Sequence, residues 1–362
     1  MEVVLVSLKK IEAKLDKLAV AGGLACAEGL ELMQTWYEYM SGEEFGFYDE
    51  LILPSSSNLD ILEAGGGLFI KQKGAENVET VYVFLHHGID LDLELMRYFK
   101  QDNWFQLVDT IYQNADRGTR WMATELLAEL ESGDELHVEG GFAVALYNIS
   151  RVMADGNRIT REEQVVLNPY KGESVWKDEL LQGNSEGGLE QVREEVGAKL
   201  VDPFVQLLRD QVRELKPKFL FYPHTYDRYG GGNASGGHER NDGVLERPPS
   251  MMIVNHFREE KAHGIYGPED ASLEVDFISK KQIEFIQEMQ KELLGGIRDL
   301  AGKQLEIPVD YPYHNPLQLP MALWQDFKGP QLVLEYRKDL FRNGQAQILE
   351  SMQRIGATIP KL

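Results

Sequence analysis

Cysteine is almost missing from this chain of 362 residues: Cys26 stands alone. A single thiol excludes an intramolecular disulfide framework and fits a reducing compartment, so a cytoplasmic location is expected. Long apolar runs are missing too. No stretch approaches the roughly 18 residues that a membrane-spanning helix needs, and Met1-Glu2 opens without a basic leader. Positive charge is scarce: 37 Lys and Arg face 59 Asp and Glu, for a formal net charge of -22. Such a field repels phosphates, which argues against nucleic-acid or anionic-membrane partners. Any anionic substrate would need a local arginine or a metal ion to overcome it.

A phosphate cradle is also absent. Tyr229-Gly-Gly-Gly-Asn-Ala-Ser-Gly-Gly237 is rich in glycine. It lacks the helix that must open directly behind a phosphate loop and the Gly-Lys-Ser/Thr of a nucleotide-binding one. It reads as a mobile loop near a site, or as disorder.

What is present suffices for a real core: 43% of residues are hydrophobic and 10% aromatic. The length fits two average domains, or one large α/β domain with an extension. Leu8, Ile11, Leu15 and Leu18 fall at helical spacing, as do Leu30, Met33, Trp36 and Tyr37 after the Gly22-Gly23 break. That stripe suits packing or a homo-oligomer contact through N-terminal helices. A mostly helical extension over 1–75 and a main domain over 76–362 are expected.

In the main domain, strand-like and helix-like segments alternate. Strands are expected there at Val81–Leu85, Phe142–Tyr147, Lys218–Tyr222 and Gln331–Glu335, and a short one at Leu68–Gln72 at the end of the extension. Helices are expected at Trp104–Tyr112, Trp121–Leu130, Asp202–Lys216, 276–294 and Ala346–Ile355. Asp202-Pro203 reads as the N-cap and first residue of its helix. The alternation predicts an α/β fold with a mixed β-sheet flanked by helices.

The most informative stretch is Val81-Tyr-Val-Phe-Leu-His86-His87-Gly-Ile-Asp90. It is a buried-strand pattern that ends in two imidazoles and a carboxylate, at the end where open α/β sheets place ligands. His-x-x-acid spacing lets His87 and Asp90 reach one metal ion, and imidazole and carboxylate are both zinc ligands. The bland reading is a surface loop with adjacent histidines.

Three other strand ends carry chemistry: Asn157-Arg158, His224 and Glu335. Together they read as a metal site, a cationic anchor and a general base. The ligands to a zinc ion would be His86 or His87, Asp90 and His224. Glu335 would take a proton from water and return it to a leaving nitrogen. Arg158, supported by Asn157, would hold a substrate carboxylate bidentately. Singly, each has a duller reading: a surface ion pair for Glu335, a core histidine for His224, a turn bridge for Arg158. Their joint occurrence at strand ends favours the chemical one.

The order of these motifs resembles the N-formylglutamate amidohydrolase family, whose fold and zinc chemistry are those of the zinc carboxypeptidases. Arg151-Val-Met-Ala-Asp-Gly-Asn157-Arg158 resembles the family's Arg…Asp-x-Asn-Arg stretch. The helix and strand from Pro203 to His224-Thr225 are similar to a segment ending in Asp-x-His-Ser. Asp310-Tyr-Pro-Tyr313 is similar to Asn-x-Pro-Tyr, and Leu332-Val-Leu-Glu335-Tyr-Arg-Lys-Asp-Leu-Phe341 to the closing segment with the catalytic glutamate. Leu85-His86-His87-Gly88 departs from the family's Pro-His-small-Gly, so alignment favours His86 and spacing favours His87. His314-Asn315-Pro316 replaces a glycine pair.

The resemblance implies a carboxypeptidase- and phosphorylase/hydrolase-like fold and one zinc ion. It implies hydrolysis of C–N amide bonds in small acidic N-acyl amino acids or peptides, with N-formyl-L-glutamate as leading substrate. Glu335 would be the catalytic carboxylate, Arg151 or Arg117 would face the oxyanion, and Tyr313 would close on substrate. A carboxypeptidase-like or poly-γ-glutamate-type peptidase with the same metal site is the nearest alternative. A non-catalytic ligand-binding relative is the other.

Overall fold

The computed structural model describes residues 57–85, 92, 98, 116, 118–133, 141–150, 153, 154, 156, 188–226, 251–254, 272–298, 307, 318–323, 326–337 and 340–358. In chain order the strands are β1 (Leu59–Ala64), β2 (Gly67–Gln72), β3 (Thr80–Phe84), β4 (Phe142–Tyr147), β5 (Phe219–Tyr226), β6 (Met251–Val254) and β7 (Gln331–Arg337). The helices are α1 (Thr119–Ser132), α2 (Gly188–Val196), α3 (Asp202–Leu215), α4 (Ser272–Gly296), α5 (Gln318–Leu323), α6 (Leu340–Asn343) and α7 (Gln345–Thr358). Among the described residues they form one seven-stranded sheet in the order β1-β2-β4-β3-β5-β7-β6. The mixed, helix-flanked α/β sheet expected from the alternation is therefore what the chain builds.

The centre of the sheet is parallel: β4 with β3, β3 with β5, and β5 with β7. Antiparallel β2 and β6 border it. Central strands buried on both faces need unbroken apolar runs, and Phe142–Tyr147 and Thr80–Phe84 are buried at every residue. Alternate residues face opposite sides of the pleat. Tyr82, Phe84, Phe219, Phe221, Leu332 and Leu334 pack in one cluster with Met122, Leu126, Met289 and Met352. Burying each such side chain contributes about 1.5–3 kcal/mol. On the other face, Phe204 of α3 meets Tyr147 of β4, ring centroids 5.1 Å apart.

Two expectations need correcting. Among the described residues the sheet begins at Leu59, so the mostly helical extension expected to end near residue 75 contains β1 besides the expected strand β2, and β2 pairs with β4 of the main domain. Edge strand β1 leaves Ile61 and Leu62 exposed, so its sequence lacks the apolar alternation that announces a strand. Residues 1–56, with the expected N-terminal helices, lie outside the described residues. So do 104–112 and 229–237.

Asp202 and Pro203 do open α3, but Asp202 is its first helical residue and not an N-cap, because helical backbone already runs into it through Val201. A π-helical turn (Gly197–Val201) joins α2 to α3, and the Asp202 N–H donates to the Gly197 carbonyl. Proline lacks an N–H, and its ring crowds the carbonyl four residues back. The wider turn lets the chain pass through Pro203 without breaking.

Candidate active site

From β3 the chain crosses to β4 on one side and then returns to β5 on the other. This is a topological switch point, where open α/β sheets form a crevice beyond the carboxyl ends of their strands. Pro223 sharpens it. Pairing of β3 with β5 covers Thr80–Tyr82 against Phe219–Phe221, whereas β5 stays paired with β7 through Tyr226. A proline has no N–H for the ladder, and it sits where the β3–β5 pairing has ended.

Beyond that proline the register sets His224 directly opposite Glu335. Neighbouring strands lie about 4.8 Å apart, and residues in direct parallel register share a face of the pleat. His224 is 2% exposed, and Glu335 is the one residue of β7 that is not fully buried. A buried imidazole beside a carboxylate that water can reach is a suitable pair for a metal ligand and a general base.

The imidazole is held from behind. His224 Nδ1 donates to Asp116 Oδ2 at 2.7 Å, and the Thr225 N–H donates to the same oxygen at 3.4 Å. Asp116 is fixed by the start of α1, since its carbonyl accepts from the Thr119 N–H and hydroxyl. Gly118, at φ +90°, lies between them.

A second anchor concerns the segment that follows the histidine stretch. Lys199, in the π-helical turn, places Nζ 2.9 Å from Asp92 Oδ2, and the Tyr98 hydroxyl donates to Glu195 Oε2 at 2.6 Å. Asp92 is two residues beyond Asp90. The widened turn between α2 and α3 thus tethers the chain just past the expected metal ligands.

Of the residues singled out from sequence, the structure brings His224 and Glu335 together. His86, His87, Asp90, Arg117, Arg151, Asn157, Arg158 and Tyr313 lie outside the described residues; β3 ends at Phe84, two residues before His86. Among the described residues no three His, Cys, Asp or Glu side chains gather as a metal-binding group. Nor is any described helix long and apolar enough to cross a membrane.

Sequence reading missed Asp116. The available signal was Asp116-Arg-Gly-Thr119 at the opening of a Glu-, Ala- and Leu-rich helix. Nothing in that signal pointed to a partner 108 residues away.

No protein-family model and no curated sequence matches the chain. Solved structures similar in fold include the N-formylglutamate amidohydrolase from Ralstonia eutropha JMP134, at 11% identity over 82% of this chain and 99% of that one, TM-score 0.48. The product of gene Atu2144 from Agrobacterium tumefaciens has 13% identity over 82% of this chain and 96% of that one, TM-score 0.43. Thrombin activatable fibrinolysis inhibitor has 10% identity over 92% of this chain and 74% of that one, TM-score 0.31. With identities this low and TM-scores below 0.5, these likenesses decide nothing about what the side chains here do.

Proposed function

We propose that this chain is a metal-dependent hydrolase of C–N amide bonds in small carboxylate-bearing substrates, with N-formyl-L-glutamate, cleaved to glutamate and formate, as the leading candidate. One observation carries the reading: His224 and Glu335 are register partners toward the carboxyl ends of adjacent parallel strands, next to the topological switch point of the sheet.

The donor set suits a divalent ion. His224 has Nδ1 committed to a buried carboxylate, the arrangement that fixes a metal-binding imidazole. His86 or His87 and Asp90, carried past the end of β3, would complete three protein ligands, the usual number at a catalytic zinc site. Bound there, zinc would act as a Lewis acid toward the scissile carbonyl. Glu335 takes the proton of the attacking water and delivers it to the leaving nitrogen. Arg158 holds the substrate carboxylate in a bidentate pair, with Asn157 supporting it. Arg151 or Arg117 would face the developing oxyanion, and Tyr313 would close over the substrate. An arginine anchor is needed in a chain of net charge -22, whose field repels an acidic substrate.

Elemental analysis of the purified protein, paired with a formate-release assay on N-formyl-L-glutamate before and after chelation, tests the reading. Bound zinc and chelator-sensitive formate release are expected. Protein free of metal and inert toward both formylglutamate and longer acidic peptides would overturn it. Glutamate released from such peptides alone would keep the chemistry and change the substrate.

A further inference from the structure

We infer that Asp116 is the positioning residue of the metal centre: it orients His224 and keeps the proton on Nδ1, so that Nε2 presents its lone pair to the ion. The inference rests on the reading of His224 as a ligand. An ionised carboxylate can only accept hydrogen bonds, so the 2.7 Å contact with Nδ1 requires Nδ1–H. A neutral imidazole protonated there has its lone pair on Nε2, which is also buried.

The side chains of His224 and Asp116 are 3% and 6% exposed. In such a site the hydrogen bond is stronger than in water, and few other ring orientations can compete. Oδ2 takes the Thr225 N–H as well, so one atom fixes both the ring and the strand that carries it. The mount of Asp116 is equally rigid. Its carbonyl is tied to Thr119, and Gly118 rests against the ring of Phe341, just beyond β7. The elements bearing His224 and Glu335 therefore share one fixed point.

Carboxylates that accept from the second nitrogen of a metal-binding histidine typically change metal affinity 10- to 100-fold when they are lost. The experiment compares wild type with Asp116→Asn and Asp116→Ala. Zinc affinity is read by competition with a chromophoric chelator, the ligand field from the visible spectrum of cobalt-substituted protein, and stability from melting of the metal-free forms. Expected are stoichiometric zinc in wild type, affinity about 10- to 100-fold weaker in Asp116→Asn, tetrahedral cobalt bands that shift but persist, and metal-free melting near wild type.

Wild type without zinc overturns the parent reading. Equal affinity and identical cobalt spectra in wild type and Asp116→Asn overturn this inference alone. Loss of the tetrahedral bands would make Asp116 a direct ligand, and weakened affinity that merely follows a collapse of metal-free stability would make it structural. Either result ends the positioning role. Should Asp116→Ala not fold, Asp116→Asn, which keeps the shape and an accepting oxygen, carries the comparison.

Discussion

Gly118 and Phe341 touch so closely that a Cβ on residue 118 would lie 2.6 Å from the phenyl ring. The ring cannot easily retreat, because Trp121 and Tyr336 pack edge-on against it, each with centroids 6.0 Å away. Residue 118 also holds φ at +90°, a conformation that suits glycine. Gly118→Ala should therefore cost stability twice, through backbone strain of about 1–3 kcal/mol and overpacking of similar size. A lower urea midpoint with unchanged slope is the expected measurement. Because residue 118 is two positions from Asp116, zinc affinity should fall with it. A variant as stable as wild type would show that the loop and ring separate freely, and would remove the rigid mount.

Three buried tyrosines predict how stability depends on alkaline pH. Burial pushes the hydroxyls of Tyr82, Tyr222 and Tyr336 well above the usual tyrosine value of 10.0, and the charges of Glu129 and Tyr336 add to the effect at Tyr82. A raised folded-state value means that stability is complete below pH 10 and is lost as pH climbs beyond it, because the unfolded chain ionises first. Each tyrosine should contribute a slope of about 1.4 kcal/mol per pH unit. The hydroxyls differ in what they lose. Tyr222 donates to Gln331 Oε1 and Tyr336 meets Ser351 Oγ, both at 2.8 Å, whereas Tyr82 Oη is buried without a hydrogen bond among the described residues. Tyr82→Phe should thus be neutral or stabilising at pH 7, since no bond is broken, and should flatten the alkaline slope by one proton. Urea titrations at pH 8 and pH 11 decide it; a Tyr82→Phe variant clearly weaker at pH 8 would contradict the account.

How much of this was legible in the chain follows from what each element needs. β3 and β4 are buried at every residue, and such apolar runs announce themselves, as does the Leu332-Val-Leu334 stretch of β7, whose other face carries Gln331, Glu335 and Arg337. β5 reads as a strand through Tyr222 and continues past Pro223, because the proline's missing N–H falls where its ladder with β3 has stopped. β6 is four residues long and β1 is half exposed, so neither carries a periodic signal. His224 and Glu335 were visible as polar endings of apolar strands, although their direct register was not. Asp116 was invisible for a different reason. Its role lies in a hydrogen bond across 108 residues, and local sequence carries no record of a contact made only by the closed fold.

Lys199 offers a separate test of how the segment beyond β3 is held. Its ammonium lies 3.0 Å from Asp92 Oδ1 and 2.9 Å from Oδ2. With the lysine side chain one-third exposed at 33%, the pair should add less than about 1 kcal/mol to stability. Its value is as a tether for the residues just after Asp90. Lys199→Met should unfold within about 1 kcal/mol of wild type, yet release zinc to a chelator faster. Wild-type release kinetics would show that the tether does not reach the site.

The decisive substitution is Glu335→Gln. The amide matches the carboxylate in shape, so β7 and its pairing with His224 across the strand boundary should be undisturbed. Because Glu335 is only half buried on β7, little stability should be lost. What the amide cannot do is accept a proton from water and hold it for the leaving nitrogen. Removing a general base typically lowers the rate 10²- to 10⁴-fold, so kcat should fall by about that factor while zinc content and KM stay near wild type. That split separates a base from a ligand: loss of zinc together with activity would place Glu335 in the coordination sphere. Full activity in the variant would leave the carboxylate beside His224 without a role in catalysis, and the water would need another base.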